Sequence, residues 1–167
     1  MTRQGPHYRV PFRRRREGRT DYRTRSKLLR SQKPRAVVRK TLNQTIVQLV
    51  AVEPAGDRIL AAAQSMELKD HGWSAGTGNL PAAYLTGYLA GKKASAKGVT
   101  EAVLDLGTQR PSKGGRLFAA LQGLVDSGLA VPHSPDVLPS KDRVRGAHIG
   151  EDIPKQFDAV KSKLEAA

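Results

Sequence analysis

The sequence contains no cysteine, only four histidines and no long hydrophobic run. The lack of cysteine excludes a disulfide framework, a thiolate metal site and a cysteine nucleophile, and the widely spaced histidines predict no metal site. The longest apolar runs, such as residues 46–52, are much shorter than the roughly 20 residues of a membrane-spanning helix. We therefore expect a soluble, unprocessed, cytosolic protein of one compact domain plus tails, with no membrane partner.

The sequence also lacks the residue patterns of common active sites. Residues 76–79, Gly-Thr-Gly-Asn, precede a predicted helix, but they lack the Lys-Ser/Thr ending of a P-loop and have no strand directly before them. His133 and His148 have no nucleophile at a recognisable spacing. Asp105 and Asp126 suit surface or capping roles better than the roles of paired catalytic acids. The sequence therefore predicts no catalytic residue, no metal, no cofactor and no small-molecule substrate.

What the sequence has in excess is positive charge, concentrated at one end of a chain whose net charge is +14. Residues 1–40 hold fifteen of the 29 lysines and arginines against only Glu17 and Asp21, whereas residues 41–167 are nearly neutral. Twelve of these fifteen are arginine, whose planar guanidinium binds phosphate through two hydrogen bonds and stacks on bases. This distribution predicts a polyanionic partner. A membrane surface is disfavoured because the basic region has no bulky apolar face.

Composition divides the chain into a basic arm at residues 1–33, a core domain at 34–131 and a C-terminal segment at 132–167. The first half of the arm has too few aliphatic residues for a core, so we expect it to be extended or disordered until it binds. Residues 21–30 lack glycine and proline and predict a short basic helix capped by Thr20 or Asp21. The proline-rich C-terminal segment predicts an extended, partner-dependent stretch before a short helix at about residues 154–165.

The core domain alternates short apolar strands with amphipathic helices. Three strands of a predicted antiparallel meander lie at about residues 35–41, 45–52 and 58–65. Asn79 caps a helix whose small residues at 82, 83, 87 and 91 would permit close packing on a sheet. Residues 100–106 predict a buried fourth strand, and residues 114–126 predict a second helix. The predicted fold class is α/β, with one strand added to the meander in parallel by a crossover unit.

Aromatic residues accompany the basic run of the arm. Four consecutive arginines, Arg13–Arg16, are flanked by Tyr8, Phe12 and Tyr22, whose rings can stack on unpaired bases of RNA. A solvated tail or a localisation signal is the alternative, but neither requires this length or this much arginine. The single tryptophan, Trp73, could also stack on a base, yet we favour a place at the edge of the core.

Two loops could hold a phosphate at the start of a helix. Residues 76–79 offer backbone amides before the first long helix, and a tight turn with a helix cap is the alternative. Three basic residues surround the glycines that open the second helix, and there a solvated loop is equally compatible. The candidate RNA contacts in these loops are Thr77, Gly78, Asn79, Arg110, Lys113 and Arg116.

The chain resembles a known family in the stretches GPHYRVPFRRRREGRTDYRTRSKLL, KPRAVVRKTLNQTIVQLV, GTGNLPAAYLTGYLAGKKA, EAVLDLG, RPSKGGRLFAALQGLVDSGLAVPHS and LPSKDRVRGAHI. These resemble universal large-subunit ribosomal protein eighteen, in its archaeal branch, which is related to protein five of the eukaryotic large subunit. The resemblance covers about residues 5–150. It implies a three-layer α/β domain with a mixed sheet and a place in the cytoplasmic large ribosomal subunit. The implied partners are 5S rRNA, 23S rRNA and neighbouring ribosomal proteins, with a role in seating 5S rRNA in the central protuberance.

Carried onto this sequence, the resemblance implies RNA contacts along the arm and at the first strand and its turn. At the turn, Leu42 stands where a second polar residue is expected. The implied contacts are Tyr8, Arg9, Phe12, Arg13, Arg14, Arg15, Arg16, Arg19, Tyr22, Arg23, Arg25, Lys27, Arg30, Arg35, Arg39, Lys40, Asn43 and Gln44. The basic arm alone would also permit a general nucleic-acid-binding or compacting protein. A nuclease or phosphotransferase is a further alternative, but the sequence lacks the clustered carboxylates that such an enzyme needs.

Overall fold

The computed structural model describes residues 5–166 of the chain. The helices are α1 (Arg13–Arg16), α2 (Tyr22–Leu29), α3 (Leu80–Ser95), α4 (Arg116–Asp126), α5 (Lys141–Arg145) and α6 (Ile153–Ala166). The strands are β1 (Arg35–Lys40), β2 (Thr45–Glu53), β3 (Gly56–Gln64) and β4 (Val103–Asp105). None of these helices is long and apolar enough to cross a membrane.

One mixed sheet with the strand order β3-β2-β1-β4 forms the centre of the fold. The first three strands are antiparallel, and β4 pairs in parallel with β1, so that Val37 lies opposite Asp105. Because side chains alternate along a strand, β1 turns Ala36 and Val38 into the apolar core and Arg35, Val37 and Arg39 to the opposite face, which we call the outer face. The predicted α/β class and the mixed sheet are confirmed.

Helix α3 is buried almost all round because the sheet, α4 and the pair α5 and α6 each pack against it. Two glycines of α3, together with Gly123 of α4, set the distance between the two helices. A side chain at Gly87 would collide with the carbonyl group of Ala120, and one at Gly91 would collide with Ser127. The sequence predicted that the small residues at positions 87 and 91 would pack closely on the sheet, but they pack on α4 instead.

Two helices of the C-terminal segment contribute residues to the core. Helix α6, predicted at 154–165, begins at Ile153, and its Phe157, Val160 and Leu164 are all buried with the core residues of α3 and α4. Val144 of α5 is buried in the same cluster. The sequence predicted an extended stretch between residue 131 and α6, and the structure contains the short helix α5 within that stretch.

The other predicted strands and helices of the core domain are present, with different limits. The predicted strand at 100–106 is regular only over β4, and Glu101 instead forms an isolated bridge with Ala130. Trp73 lies in the core, as favoured, and its indole Nε1 donates a hydrogen bond to the carbonyl oxygen of Gly76 at 3.2 Å.

Candidate nucleic-acid interface

The four consecutive arginines form one turn of helix, α1, which the sequence did not predict. The carbonyl oxygen of Phe12 accepts hydrogen bonds from the backbone N–H groups of Arg15 and Arg16, and no residue of α1 is buried. The ring of Phe12, which is 71% exposed, lies 5.2 Å from the ring of Tyr22 between centroids. The turn therefore presents a cluster of guanidinium groups beside the exposed ring of Phe12 and the half-buried ring of Tyr22, a combination suited to phosphates and unpaired bases.

Helix α2 begins where the sequence predicted a cap. The carboxylate of Asp21 accepts hydrogen bonds from the backbone N–H groups of Arg23 and Thr24 and from the Thr24 hydroxyl group. The Thr24 side-chain hydrogen bond, followed by the two backbone bonds, lowers the pKa of Asp21. The cap fixes the start of the helix, and two of its three basic residues, Arg23 and Lys27, are exposed.

A chain of alternating charges joins the arm to the outer face of the sheet. Arg25 of α2 binds Asp57 of β3 through two hydrogen bonds of 3.0 and 2.8 Å. Arg35 donates to Asp57 at 2.7 Å and to Asp105 of β4 at 2.6 Å, and Arg39 lies 3.4 Å from the second oxygen of Asp105. We call Arg25, Asp57, Arg35, Asp105 and Arg39 the arginine–aspartate chain.

The arginine–aspartate chain corrects two expectations from the sequence. Asp105 is not a surface or capping residue but is buried between two arginines. Arg35, implied as an RNA contact, is only 3% exposed, so its position argues against direct contact with RNA. The hydrogen bond from Arg25 is the main cause that lowers the pKa of Asp57, and Asp57 in turn raises the pKa of Arg25. The network is therefore a partly buried structural connection.

A signal for this connection was present in the sequence but was not used. Residues 35 and 39 are four apart on a strand, so they lie on the same face. Asp105 lies between Leu104 and Leu106 in an apolar stretch, and a buried acid requires a partner. Asp57, in contrast, stands in a polar turn region where nothing in the sequence points to Arg25.

The predicted loop residues meet at one end of the sheet. The hydroxyl group of Thr77 donates to the carbonyl oxygen of Asn43 at 2.7 Å, and Arg116 donates to the carbonyl oxygen of Gly78 at 2.7 Å. Asn79 caps α3 by accepting the backbone N–H of Ala82 at 2.8 Å. The turn after β1, the loop before α3 and the start of α4 thus form one surface, which we call the loop cluster.

The outer side of the loop cluster is polar and basic, with one apolar exception. Asn43, Arg110 and Lys113 are exposed there, and Leu42 is 87% exposed. The side chain of Gln109, which sequence reasoning missed, fixes the loop before α4 to β1 by two hydrogen bonds with the backbone of Lys40. Arg116 is half-buried and donates hydrogen bonds to the carbonyl oxygens of Leu42 and Gly78, so it joins the turn after β1 to the loop before α3. It also adds a positive charge to the loop cluster.

The described residues hold no group of acids, histidines or cysteines that could bind a metal ion. The chemistry available on the arm and the loop cluster is that of guanidinium, ammonium, amide and aromatic groups. Such groups bind phosphate oxygens and stack on bases. This chemistry is suited to contact with a polyanion.

A nearly neutral α/β body that carries an arginine-rich arm and basic loops defines a structural nucleic-acid-binding protein. A family model, described as ribosomal large subunit proteins 60S L5 and 50S L18, matches residues 6–100 and 92–134. The chain belongs to this family, and the resemblance drawn from the sequence is confirmed.

Curated archaeal relatives agree with this assignment. A large ribosomal subunit protein uL18 of Methanothrix thermoacetophila is 51% identical over 164 residues, which cover 96% of this chain and 97% of the relative. The protein of the same name from Korarchaeum cryptofilum is 56% identical over 149 residues, covering 89% and 76% respectively. That of Haloarcula marismortui is 48% identical over 177 residues, covering 96% and 95%. The chain is thus an archaeal-type structural protein of the large ribosomal subunit and not an enzyme.

Proposed function

We propose that this protein binds 5S rRNA and helps to attach it to 23S rRNA in the central protuberance of the large subunit. The observation that carries the proposal is the density of exposed cations on the arm. Among the described residues, Arg15, Arg16, Arg23, Lys27 and Arg30 are exposed and have no carboxylate partner. An RNA backbone supplies the anions that these side chains lack.

The arm and the loop cluster have different tasks in this proposal. The arm provides most of the affinity for 5S rRNA, because phosphate contacts dominate the free energy of binding and fix the protein on the RNA. The loop cluster, which is rigidly held on the body, contacts neighbouring rRNA and ribosomal proteins. One molecule with two separate surfaces can join 5S rRNA to 23S rRNA.

The test is a competition experiment with the full chain at a fixed salt concentration. Labelled 5S rRNA is bound, and unlabelled 5S rRNA, an unrelated structured RNA of equal length and duplex DNA compete for the protein. A specific protein should prefer 5S rRNA by about 10³-fold or more over nonspecific nucleic acid. Equal competition by all three would support a general nucleic-acid-binding protein and contradict the proposal.

Footprinting then tests the division between the two surfaces. Protection of 5S rRNA by the wild-type protein should be lost when arm arginines are replaced by glutamine. It should persist when Arg110 and Lys113 of the loop cluster are replaced. Loss of the 5S rRNA footprint only in the loop variant would contradict the division.

A further inference from the structure

Asp57 occupies an unusual place in the molecule because one carboxylate serves both the body and the arm. It accepts one hydrogen bond from Arg35, which is buried in the body, and two from Arg25 of α2. The side chains of Arg25 and Asp57 are 31% and 33% exposed, so this pair is partly removed from solvent. Arginine and carboxylate in such a two-bond arrangement also fix each other's orientation.

Among the described residues, the arm makes few other polar contacts with the body, although Leu28 and Leu29 of α2 are half-buried. No residue of α2 is buried, and an open groove lined mainly by polar side chains lies between the arm and the outer face of the sheet. The second ion pair between the arm and the body, Lys33 with Glu101 at 2.6 Å, lies at the last residue of the arm, next to β1. Within the part of the chain that the structure describes, the pair of Arg25 and Asp57 is therefore the one ion pair that joins α2 itself to the body.

We propose that Asp57 is a positioning residue for RNA binding, which holds α2 against the sheet so that its remaining cations face outward. Arg25 points inward to Asp57, while Arg23 and Lys27 of the same helix and Arg30 at its end are exposed. A helix held in this way loses less conformational freedom when RNA binds. This inference rests on the proposed 5S rRNA binding.

The proposal predicts an effect opposite to that of simple electrostatics. The Asp57→Asn substitution removes one negative charge next to the basic arm. Charge alone would strengthen binding to a polyanion. Loss of the positioning contact would weaken binding, by about fivefold for one partly exposed ion pair. The sign of the change distinguishes the two explanations.

The binding experiment uses full-length protein and 5S rRNA across a range of salt concentrations. Asp57→Asn should weaken affinity about fivefold while the slope of log affinity against log salt stays unchanged, since Asp57 contacts no phosphate in this proposal. Arg25→Gln, which leaves the contact between Arg35 and Asp57 intact, should weaken affinity similarly, and the double variant should be no weaker than either single variant. Asp136→Asn, which removes an exposed carboxylate elsewhere, is the charge control and should not weaken binding.

The position of α2 can be measured directly because the chain has no cysteine of its own. Spin labels are attached through Ser26→Cys in α2 and Ser95→Cys at the end of α3, both at exposed positions. The distance distribution between the labels should be narrow with Asp57 present. It should broaden with Asp57→Asn and with Arg25→Gln, while thermal unfolding shows that the body remains folded.

Any one of three results would overturn the inference. The first is equal or tighter binding of 5S rRNA by Asp57→Asn, and the second is an unchanged distance distribution in both variants. A lower salt slope for Arg25→Gln would also contradict it, because Arg25 would then bind a phosphate itself. Failure of the wild-type protein to bind 5S rRNA would instead contradict the proposed function, and the label distances would still report on Asp57.

Discussion

At the scale of single residues, the absence of a side chain decides how the two main helices pack. Gly87 of α3 lies against the backbone of α4, where an added Cβ atom would overlap the carbonyl group of Ala120. Both segments are backbone within packed helices, so neither can move without disturbing the core. The closeness of α3 and α4 therefore depends on glycine at this position.

We predict that Gly87→Ala lowers the free energy of unfolding by about 1–3 kcal/mol, the usual range for overpacking a well-packed core. Chemical denaturation of the purified protein measures the change. Gly76→Ala is the matched control, since a Cβ atom at Gly76 would meet no atom within 4 Å. Equal stability of the two variants would show that α3 and α4 can separate without cost.

Asp57 gives a second prediction at this scale, a dependence of arm docking on pH. The hydrogen bond from Arg25 lowers the pKa of Asp57 below its ordinary value of 3.8. A lowered pKa means that the ionised carboxylate stabilises the docked state above pH 3.8, and that this stabilisation is lost as the pH falls through the lower pKa of the folded protein. The label distance from α2 to α3 should therefore stay constant down to about pH 4 and broaden below it.

The Asp57→Asn variant isolates this effect from the titration of Asp21, whose pKa is also lowered. In that variant the distance distribution should be broad at every pH. A wild-type distribution that does not respond to acid would argue that contacts other than the carboxylate hold α2.

Individual site residues were only partly predictable from the sequence. Asn79 and Asp21 could be identified as caps because a cap acts on residues two or three positions away. Arg35 was assigned to RNA, yet it is buried beside Asp105, 70 residues further along the chain. That pairing exists only because β4 adds in parallel to β1, and sequence alone did not give the register of the two strands.

At the scale of elements, the C-terminal helix shows the difference between predicting a helix and predicting its place. The helical character of α6 was predicted, but not its burial. Phe157, Val160 and Leu164 are spaced three and four residues apart and so lie on one face, which packs against α3. The spacing was available as a signal, but the prolines before the helix favoured an exposed segment.

We predict that Phe157→Ala lowers the free energy of unfolding by about 3–5 kcal/mol, because a buried aromatic side chain and its packing contacts are lost. Phe157 is 4% exposed, and its ring lies 5.4 Å from the ring of Tyr84 between centroids. Lys155→Ala, in the same helix but with a side chain 85% exposed, is the control. If Phe157→Ala and the wild-type protein unfold at the same denaturant concentration, α6 does not belong to the part of the core that unfolds cooperatively.

Helix α1, unlike α6, was not predicted from the sequence at all. Four arginines with a proline before them and a glycine after them were read as part of an extended or disordered chain. Arginine nevertheless has a high helix propensity. Gly18, with a φ of +66°, lies just after the turn, and its backbone N–H donates to the carbonyl oxygen of Arg15. A helix of one turn is too short to leave a periodic pattern in a sequence.

At the scale of the whole molecule, charge and packing are divided between two parts of the chain. The core is formed by the body, whereas most of the excess positive charge lies in the first forty residues. Composition predicted the uneven charge, and the pattern of strands and helices, together with the family resemblance, predicted the fold, because these features depend on long stretches of sequence. The docking of α2 on the sheet could not be predicted, since it depends on contacts such as Arg25 with Asp57 that are distant in sequence.

The most direct test of the arm as an RNA-binding element is the salt dependence of 5S rRNA affinity for a variant in which Arg13, Arg14, Arg15 and Arg16 are all replaced by glutamine. Each phosphate contact contributes about 0.7–0.9 to the slope of log affinity against log salt, so the slope should shrink by about two to four units. The matched control replaces four cations of the body, Lys69, Lys141, Arg143 and Lys155, which are all exposed. If the four arginines bind phosphates, the slope of log affinity against log salt shrinks only in the arm variant. An unchanged slope in the arm variant, or an equally reduced slope in the control, would contradict this account.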